Sequence, residues 1–569
     1  MSYTHPTASV MRTLGTLSLL ALVACSGGGS SDGAGGKSSA NAKKWETRDT
    51  LVIATMSDIG SLIPVKPRTS ADNALIGNLA TSTIDSDFDC SLKKKPGLAK
   101  SWEWSDDGKV VKLELDDRFT WEDGEPVTAD DIKFAYELAG DKRVASPRFG
   151  YLEFMTEDAR PKVIDDTHLE FHFTRAYDRD TQAAHVSLTA MPRHILGDAD
   201  RSTLEGNPFA TDPTFYGPWR LAKHVPNQSV VIEPNWNFTG PEELRPKLSR
   251  VMFKVIPEYA ARLIALEKGD VDFMESLQIA DVDRLRKEHK EDLNIVLRGY
   301  RAMDYIGWNG TKYEPFNDKR VRKALAHGVD QQRIIGKILT GEDGTVYGRQ
   351  AVGTITPELC GVHNDDIAPI PYDPDQAKAL LAEAGWTDTD GDGLIDKDGK
   401  NMSFTMVTNQ GNKRRADAAE EIQADLKKLG IDMQIDFKEA NTFFDKVEDR
   451  EYEAFLAGWS AGLFVDPSSI WQTETADRPQ PFNHVVYSNP EVDALIDKGL
   501  QTPDPREAAP IWKEMQAKIY DDQPYMFLWW INIPVAVSSR FENTTIDVLS
   551  PYRNLHDWEV PADKVKYKR

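Results

Sequence analysis

The sequence of 569 residues has only three cysteines, and no two of them are spaced as C-x-x-C. It also contains no H-E-x-x-H sequence and no phosphate-binding glycine loop, so the common redox, zinc-protease and nucleotide motifs are missing. Basic residues are in deficit, with 68 Lys and Arg against 91 Asp and Glu, which gives a formal net charge of −23. Because this acidity repels nucleic acid and anionic lipid surfaces, we predict neither as a partner. No cofactor is predicted.

Long apolar runs are scarce as well. Leu14–Ala24 follows Arg12 and is too short to span a bilayer, but it has the length of a signal-peptide core. A small residue directly before Cys25 makes the end of this apolar run resemble a bacterial lipobox. In a lipobox the cysteine is acylated and becomes the new N-terminus. We therefore predict a lipoprotein signal peptide over 1–24 and a flexible Gly/Ser-rich tether over 25–45. The protein is then expected in the cell envelope, lipid-anchored to a membrane at its periplasmic or extracellular face. A plain secretory signal with a chance cysteine is the alternative.

The two cysteines that remain are Cys90 and Cys360. An oxidising compartment would permit a disulfide between them, and the alternative is that both are buried free thiols. Both possibilities stay open at this point. The longest other apolar run, Tyr525–Val537, is short enough to be a buried strand.

Hydrophobic periodicity predicts a mixed α/β protein. Apolar residues alternate in Ile431–Phe437 and, less regularly, in Ser403–Val407, while those of 416–429 recur at helical spacing and stop at a glycine. Strand, helix and strand in this order predict a βαβ unit with parallel strands. Asp373 and Pro374 are typical of the N-cap and first position of a further helix.

Gly458-Trp459-Ser460-Ala461-Gly462 matches the G-x-S-x-G sequence of serine hydrolases, and the strand predicted over Tyr452–Ala457 precedes it as that motif requires. However, Leu463–Pro467 is typical of a loop where the motif needs a helix, and no HGGG-type segment precedes it. An exported serine hydrolase that uses Ser460 is therefore kept only as an alternative function.

Two segments raise the question of metal binding. Asp388–Asp396 resembles the first nine positions of a calcium loop, but position 12 is Gly399 instead of the bidentate glutamate. A solvated acidic turn is the favoured interpretation, with calcium as the alternative. One face of a predicted strand carries His168, Glu170 and His172. Because apolar residues alternate with these polar ones, we interpret this face as a polar outer surface of the strand. We predict no metal site.

Several segments together resemble the peptide/nickel class of ABC-transporter solute-binding proteins. Within the most extensive of them, Asn317 and Asp330 are predicted to cap two helices. The matching segments, in chain order, are Pro96–Trp102, Trp121–Asp131, Tyr216–Trp219, Gly269–Asp272, Asn309 with Phe316–Ala326 and Val329–Gln331, Tyr372–Trp386, Gly458–Trp459 and Tyr487–Asp493.

The resemblance implies an α/β, two-lobe periplasmic-binding-protein fold of type II, the Venus-flytrap form, with an extra subdomain in the N-terminal lobe. A peptide or another small-molecule solute is captured between the lobes and delivered to an ABC permease complex, and the protein acts as a monomer. A surface lipoprotein without a transport role is the other alternative. The expected boundaries are 46–70, 210–300 and 525–569 for lobe I, 71–209 for its extra subdomain, and 301–524 for lobe II.

The resemblance also implies where the ligand lies. Peptide-binding relatives carry an amine-binding Asp three residues after the Gly-Trp pair, and here that position is Gly462. Unmodified peptides are then expected to bind poorly unless Asp304 or Asp466 supplies the charge. Trp459 is expected to stack on the ligand. Because other members take sugars, metal chelates or opines, the solute stays open. The full candidate set is Trp459, Ser460, Gly462, Phe464, Asp466, Asp304, Trp308 and Asn309.

Overall fold

The computed structural model describes residues 45–67, 70–87, 93–152, 154–156, 160–462, 465–474, 482–546, 548 and 550–567. The predictions for Cys25, Cys90, Phe464 and the first 44 residues lie outside these ranges. Cys360 is exposed. Within the described ranges, no helix is both long and apolar enough to cross a membrane.

The first part of the chain alternates short strands and helices up to one long strand. These elements are β1 Arg48–Thr55, α1 Ser70–Leu79, β2 Ile84–Ser86, β3 Lys94–Pro96, β4 Ala99–Trp104, β5 Val110–Leu115, α2 Ala129–Gly140, β6 Lys162–Val163, β7 His168–His172, α3 Arg179–His185, α4 Arg193–Leu196, β8 Trp219–Val225, β9 Ser229–Pro234, β10 Leu248–Val255, α5 Tyr259–Glu267, β11 Phe273–Glu275, α6 Ile279–Glu288 and β12 Leu293–Trp308.

The second part contains longer helices and ends on a second long strand. Its elements are α7 Lys319–Gly328, α8 Gln331–Ile338, β13 Gly348–Gln350, α9 Pro374–Glu383, β14 Asp396–Lys397, β15 Lys400–Asn401, β16 Ser403–Asn409, α10 Lys413–Lys427, β17 Asp432–Lys438, α11 Ala440–Glu448, β18 Ala454–Ser460, α12 Ser468–Trp471, α13 Pro490–Leu500, α14 Pro505–Asp522 and β19 Tyr525–Ser538. The apolar run at 525–537 is thus a buried strand, as predicted.

One large sheet organises the fold, in the order β17-β16-β18-β12-β19-β11-β1-β10-β9-β8, with β13 also on β19. The long strands β12 and β19 run antiparallel along most of their length. Residues 302–307 of β12 lie between β19 and β18, whereas the later residues of β19 lie between β12 and β11. The β12–β19 ribbon therefore carries one group of strands at each end, and its pairing is interrupted between Arg298 and Ala302.

A separate four-stranded sheet, β4-β5-β7-β6, lies within the span predicted for the extra subdomain. Its helix α2 begins with a reciprocal capping box between Thr128 and Asp131, and the face of α2 that includes Phe134 and Leu138 is buried. In β7, Leu169 and Phe171 are buried while His168 is exposed, which confirms the predicted alternation.

The local predictions for the second part are largely confirmed. Strands β16 and β17 pair in parallel around α10, and the Asp373 and Asp330 carboxylates accept backbone N–H groups at the starts of α9 and α8. The prediction that Asn317 caps α7 is wrong. Asp318 accepts the Arg320 N–H instead, because the Asn317 amide donates to the carbonyl of Gly310 in the preceding turn.

Candidate functional site

The carboxyl end of β18 forms one open edge of the large sheet. Strand β18 pairs with β12 through Ser460, but its parallel pairing with β16 ends at Leu456. In the described part of the chain, the last residues of β18 therefore have no strand partner on the β16 side. Helix α10 begins close to this point, after β16. Ligands of open α/β sheets bind at the carboxyl ends of strands such as these, so this edge is a candidate site.

Trp459 supplies the aromatic surface of the edge. Its ring is partly buried and lies nearly parallel to the rings of Tyr305 and His484, at centroid distances of 6.0 and 6.4 Å, with Phe482 edge-on at 5.6 Å. Burial lowers the pKa of His484 to about 4, so its ring is neutral at physiological pH. The group is apolar, neutral and partly open, which suits stacking on a ligand.

Asp304 lies beneath the same edge, opposite Gly458 in the β12–β18 pairing. Its carboxylate is buried and accepts hydrogen bonds from Arg414 Nε at 2.7 Å and from Arg415 Nε at 3.0 Å. The Asp304 carboxylate also accepts hydrogen bonds from Arg414 Nη2 at 3.3 Å and from Trp529 Nε1 at 3.1 Å. We call Asp304, Arg414 and Arg415 the arginine cluster.

The arginine cluster corrects the expectation that Asp304 meets a cationic group of the ligand. Burial raises the pKa of Asp304, but the charges of Arg414 and Arg415 outweigh burial and hold that pKa below its ordinary value. With two guanidinium groups already in contact, the carboxylate has no capacity left for a ligand amine. Neither arginine was predicted as part of the site, because both precede the helical pattern of 416–429 and no local pattern links them to Asp304.

Gly458 makes this arrangement possible. A Cβ atom at position 458 would collide with Nη2 of Arg415 and would lie 2.9 Å from the carbonyl oxygen of Met303. The glycine of the Gly-Trp pair therefore leaves room for a guanidinium group on one face of β18, while Trp459 occupies the other face. The next residue, Ser460, is exposed.

Asp466 lies in the loop after β18. Its Oδ1 accepts hydrogen bonds from the backbone N–H and the hydroxyl of Ser468, at 3.1 and 2.5 Å, and its side chain is only partly buried. Burial lowers the pKa of His185, and the charge of Asp466 acts on that ring in the opposite direction. His185 belongs to α3, far from Asp466 in sequence, so Asp466 faces the segment predicted as the extra subdomain. Gly462 is exposed.

Trp308 and Asn309 lie away from this edge, which corrects their assignment as ligand-binding residues. Trp308 is buried in the core beneath α7 and α10, where its ring packs 4.8 Å from that of Phe316. Asn309 is fully buried, and its amide donates to the carbonyls of Arg450 and Tyr452. Both side chains stabilise the fold.

The acidic loop brings three carboxylates together. Oxygens of Asp388, Asp390 and Asp392 lie within 4.8 Å of one another, and this is the only such group of metal-binding side chains among the described residues. Asp388 already accepts the N–H groups of Gly391 and Gly393, at 2.7 and 3.1 Å. Asp396, at position 9, bonds instead to Thr389.

The sequence matches the family described as bacterial extracellular solute-binding proteins, family 5 Middle, over residues 93–480. The chain belongs to this family. The oligopeptide-binding protein AppA of Bacillus subtilis is 30% identical over 559 residues, which is 97% of this chain and 98% of that protein. The nickel-binding periplasmic protein of Escherichia coli is 25% identical, over 83% of this chain and 86% of its own. The solved structure of AppA from Bacillus subtilis in complex with a nonapeptide superposes with a TM-score of 0.74 at 29% identity, covering 91% of this chain and all of that one.

Membership of this family confirms the predicted two-lobe α/β fold and makes the protein a solute-binding protein of the peptide/nickel class of ABC transporters. The family is not enzymatic, so the serine hydrolase alternative is wrong. The two glycines of the G-x-S-x-G match have structural roles instead. Gly458 leaves room for the Arg415 side chain, and the second glycine lies in the loop that follows β18.

Proposed function

We propose that the protein captures a peptide or peptide-like solute between its two lobes and delivers it to an ABC import permease. The observation that carries this proposal is the match, over 97% of the chain, to a protein named as oligopeptide-binding. The open edge of β18 supports it. An extended peptide can add to an exposed strand edge through main-chain hydrogen bonds, while a flanking aromatic ring selects side chains.

The lobes are proposed to follow the boundaries expected from the sequence, with 301–524 as lobe II and the β12–β19 ribbon as the hinge. Two features support this division. The register break between Arg298 and Ala302 lies in the ribbon, and the two groups of strands are attached at its opposite ends. Closure around a bound solute would then move lobe II against lobe I, and binding would favour the closed state.

Contacts between the extra subdomain and lobe II support a closed arrangement in this structure. The backbone N–H of Asp178 donates to the carbonyl of Leu500 at 3.2 Å, and that of Arg179 donates to the carbonyl of Pro503 at 3.0 Å. Asp466 is proposed to meet the amino group of the solute, because its carboxylate lies in the loop after β18, is partly buried and, within the described ranges, accepts hydrogen bonds from Ser468 but from no arginine. The Asp466 carboxylate would then supply the negative charge that is missing at Gly462.

Native mass spectrometry of the protein purified from its own envelope tests the proposed function. We expect a co-purified mass of a few amino-acid residues that is lost on denaturation. A non-peptide mass would contradict the peptide assignment. If no solute is found, and none in a broad metabolite panel raises the melting temperature, the protein is better described as a surface lipoprotein without a transport role.

We also propose that Cys25 is acylated and holds the protein at the membrane through the tether. Several acyl chains anchor a protein stably because each buried CH₂ contributes about 0.8 kcal/mol. Cys25→Ser is expected to move the protein to the soluble fraction or leave it unprocessed, whereas Cys360→Ser, the matched control, should leave fractionation unchanged. A processed Cys25→Ser variant that still fractionates with membranes would refute the anchor.

A further inference from the structure

The end of β11 faces the open edge of β18 across the β12–β19 ribbon. Strand β11 runs antiparallel to β19 and ends at Glu275, which pairs with Val535. Strand β18 runs antiparallel to β12 and ends at Ser460, which pairs with Ala302. Val535 also pairs with Val296, six residues before Ala302, so about 20 Å of ribbon separates the two carboxyl edges. A solute held at the open edge of β18 therefore lies within reach of the end of β11.

The carboxylate of Glu275 is only partly satisfied by the protein. Within the described ranges its one hydrogen-bond partner is Arg298, whose Nη1 donates to Oε2 at 3.3 Å. This distance is longer than the 2.7–2.9 Å or so of a typical charge-assisted bond. A carboxylate can accept about four hydrogen bonds, and Asp304 on the same ribbon does accept four. Glu275 therefore keeps acceptor capacity for a further donor.

Glu275 is enclosed by its surroundings but still reached by water. Its side chain is 36% exposed, whereas that of Arg298 is 15% exposed. Burial nevertheless raises the pKa of Glu275, and the charge of Arg298 acts in the opposite direction. The neighbouring Tyr552 adds no charge, because burial and the charge of Glu275 both raise the pKa of its phenol. A partly desolvated anion that remains accessible is stabilised by a second cation.

The backbone on either side of Glu275 is held in place. Met274 is fully buried, and the backbone N–H of Leu277 donates to the carbonyl of Pro534 at 3.2 Å. Between them Ser276 is exposed and has a φ of 59°, a left-handed conformation that residues other than glycine rarely adopt. Such strained residues cluster at ligand sites. The strained turn therefore presents the carboxylate at the end of β11 with little conformational freedom.

We infer that Glu275 binds a cationic group of the captured solute, with Arg298 as the residue that positions the carboxylate. For a peptide this group is the side chain of a lysine or an arginine, so the solute class is basic peptides. The inference rests on the proposed function, since the cationic group belongs to the solute that the two lobes would enclose. The Glu275 subsite is separate from Asp466, because Glu275 ends a strand of proposed lobe I and Asp466 follows a strand of lobe II.

Titration calorimetry with matched pentapeptides tests the inference. Each pair carries lysine or norleucine at one position, and the position is moved along the peptide. For the parent protein we expect lysine to bind about tenfold or more tighter at one position, the gain of a charge-assisted contact. Glu275→Gln should weaken the lysine peptide and remove most of that preference. Glu291→Gln is the matched control, because Glu291 is 84% exposed and pairs with Lys290 at the surface.

The outcomes separate this inference from the proposed function. If lysine is favoured nowhere, or equally at every position as general attraction to an acidic protein would produce, the subsite is wrong while peptide capture stands. A preference that survives in folded Glu275→Gln would also overturn the subsite. If no peptide binds but small organic amines do, and Glu275→Gln weakens them, peptide capture is wrong and the subsite stands. If neither class binds, both are wrong.

A second variant covers the case in which Glu275→Gln does not fold. Glu275→Asp keeps the charge and the bond to Arg298 within reach but withdraws the carboxylate by one methylene group. We expect it to reduce the preference for lysine severalfold. An unchanged preference in this variant would overturn the inference.

Discussion

Asp304→Asn is expected to lower the free energy of unfolding by about 3–5 kcal/mol, the cost of removing one partner from a buried ion pair. The substitution keeps the size of the side chain but removes its charge. Arg414 and Arg415 then remain largely buried, facing each other's positive charge without an anion between them. Asparagine also has one acceptor oxygen where the carboxylate has two, so at least one guanidinium hydrogen bond is lost.

Chemical denaturation at neutral pH measures this loss. Asp417→Asn is the control, because it removes a carboxylate from an exposed pair with Lys413 on the same helix, and such pairs contribute less than about 1 kcal/mol. The pKa of Asp304 is lowered in the folded protein, so its stabilisation is complete above the ordinary pKa of an aspartate and is lost as the pH falls through the lowered value. The difference between parent and variant should therefore shrink in acid. Equal stabilities at neutral pH would mean that the cluster contributes no net stabilisation.

Local features of the fold were predictable from the sequence because their causes are local. The caps at Asp373 and Asp330 depend on a side chain that reaches a backbone N–H three residues away. The strands β16 and β17 follow from the spacing of apolar residues. The prediction for Asn317 is wrong because an Asn and an Asp are adjacent in the sequence and either could cap α7. Which of them does so depends on the hydrogen bond from the Asn317 amide to Gly310, which no local pattern reveals.

The candidate site was less predictable because its pairs are distant in sequence. Asp304 and Arg414 are separated by 110 residues and meet only once β18, which contacts α10, has paired with β12. Trp308 was assigned to the ligand from its position near a crossover. Its two-residue spacing from Ile306 places both side chains on the helix-covered face, where they join the core. Trp459 was identified from its position after a predicted strand, and its role at the ligand site stays a prediction.

Trp459→Ala is expected to weaken binding of the solute by about tenfold or more, since aromatic stacking and the apolar area it buries contribute roughly 1–3 kcal/mol. The fold should be retained because the ring lies at the partly open edge of the core rather than inside it. Trp459→Phe should lose less, because a smaller ring still stacks. Trp102→Ala, in the separate sheet of the predicted subdomain, is the matched control for removing a partly buried indole. Unchanged affinity in a folded Trp459→Ala variant would show that the ring only supports the core.

Peptide capture itself is tested by calorimetric titration of the parent protein, stripped of any bound solute, with unmodified tri- to pentapeptides. We expect saturable binding to at least one peptide length, with one solute per chain, and a marked loss of affinity on N-terminal acetylation if Asp466 meets the amine. Absence of peptide binding at any length, alongside binding of a sugar or a metal chelate, would contradict the claim that this family member captures peptides.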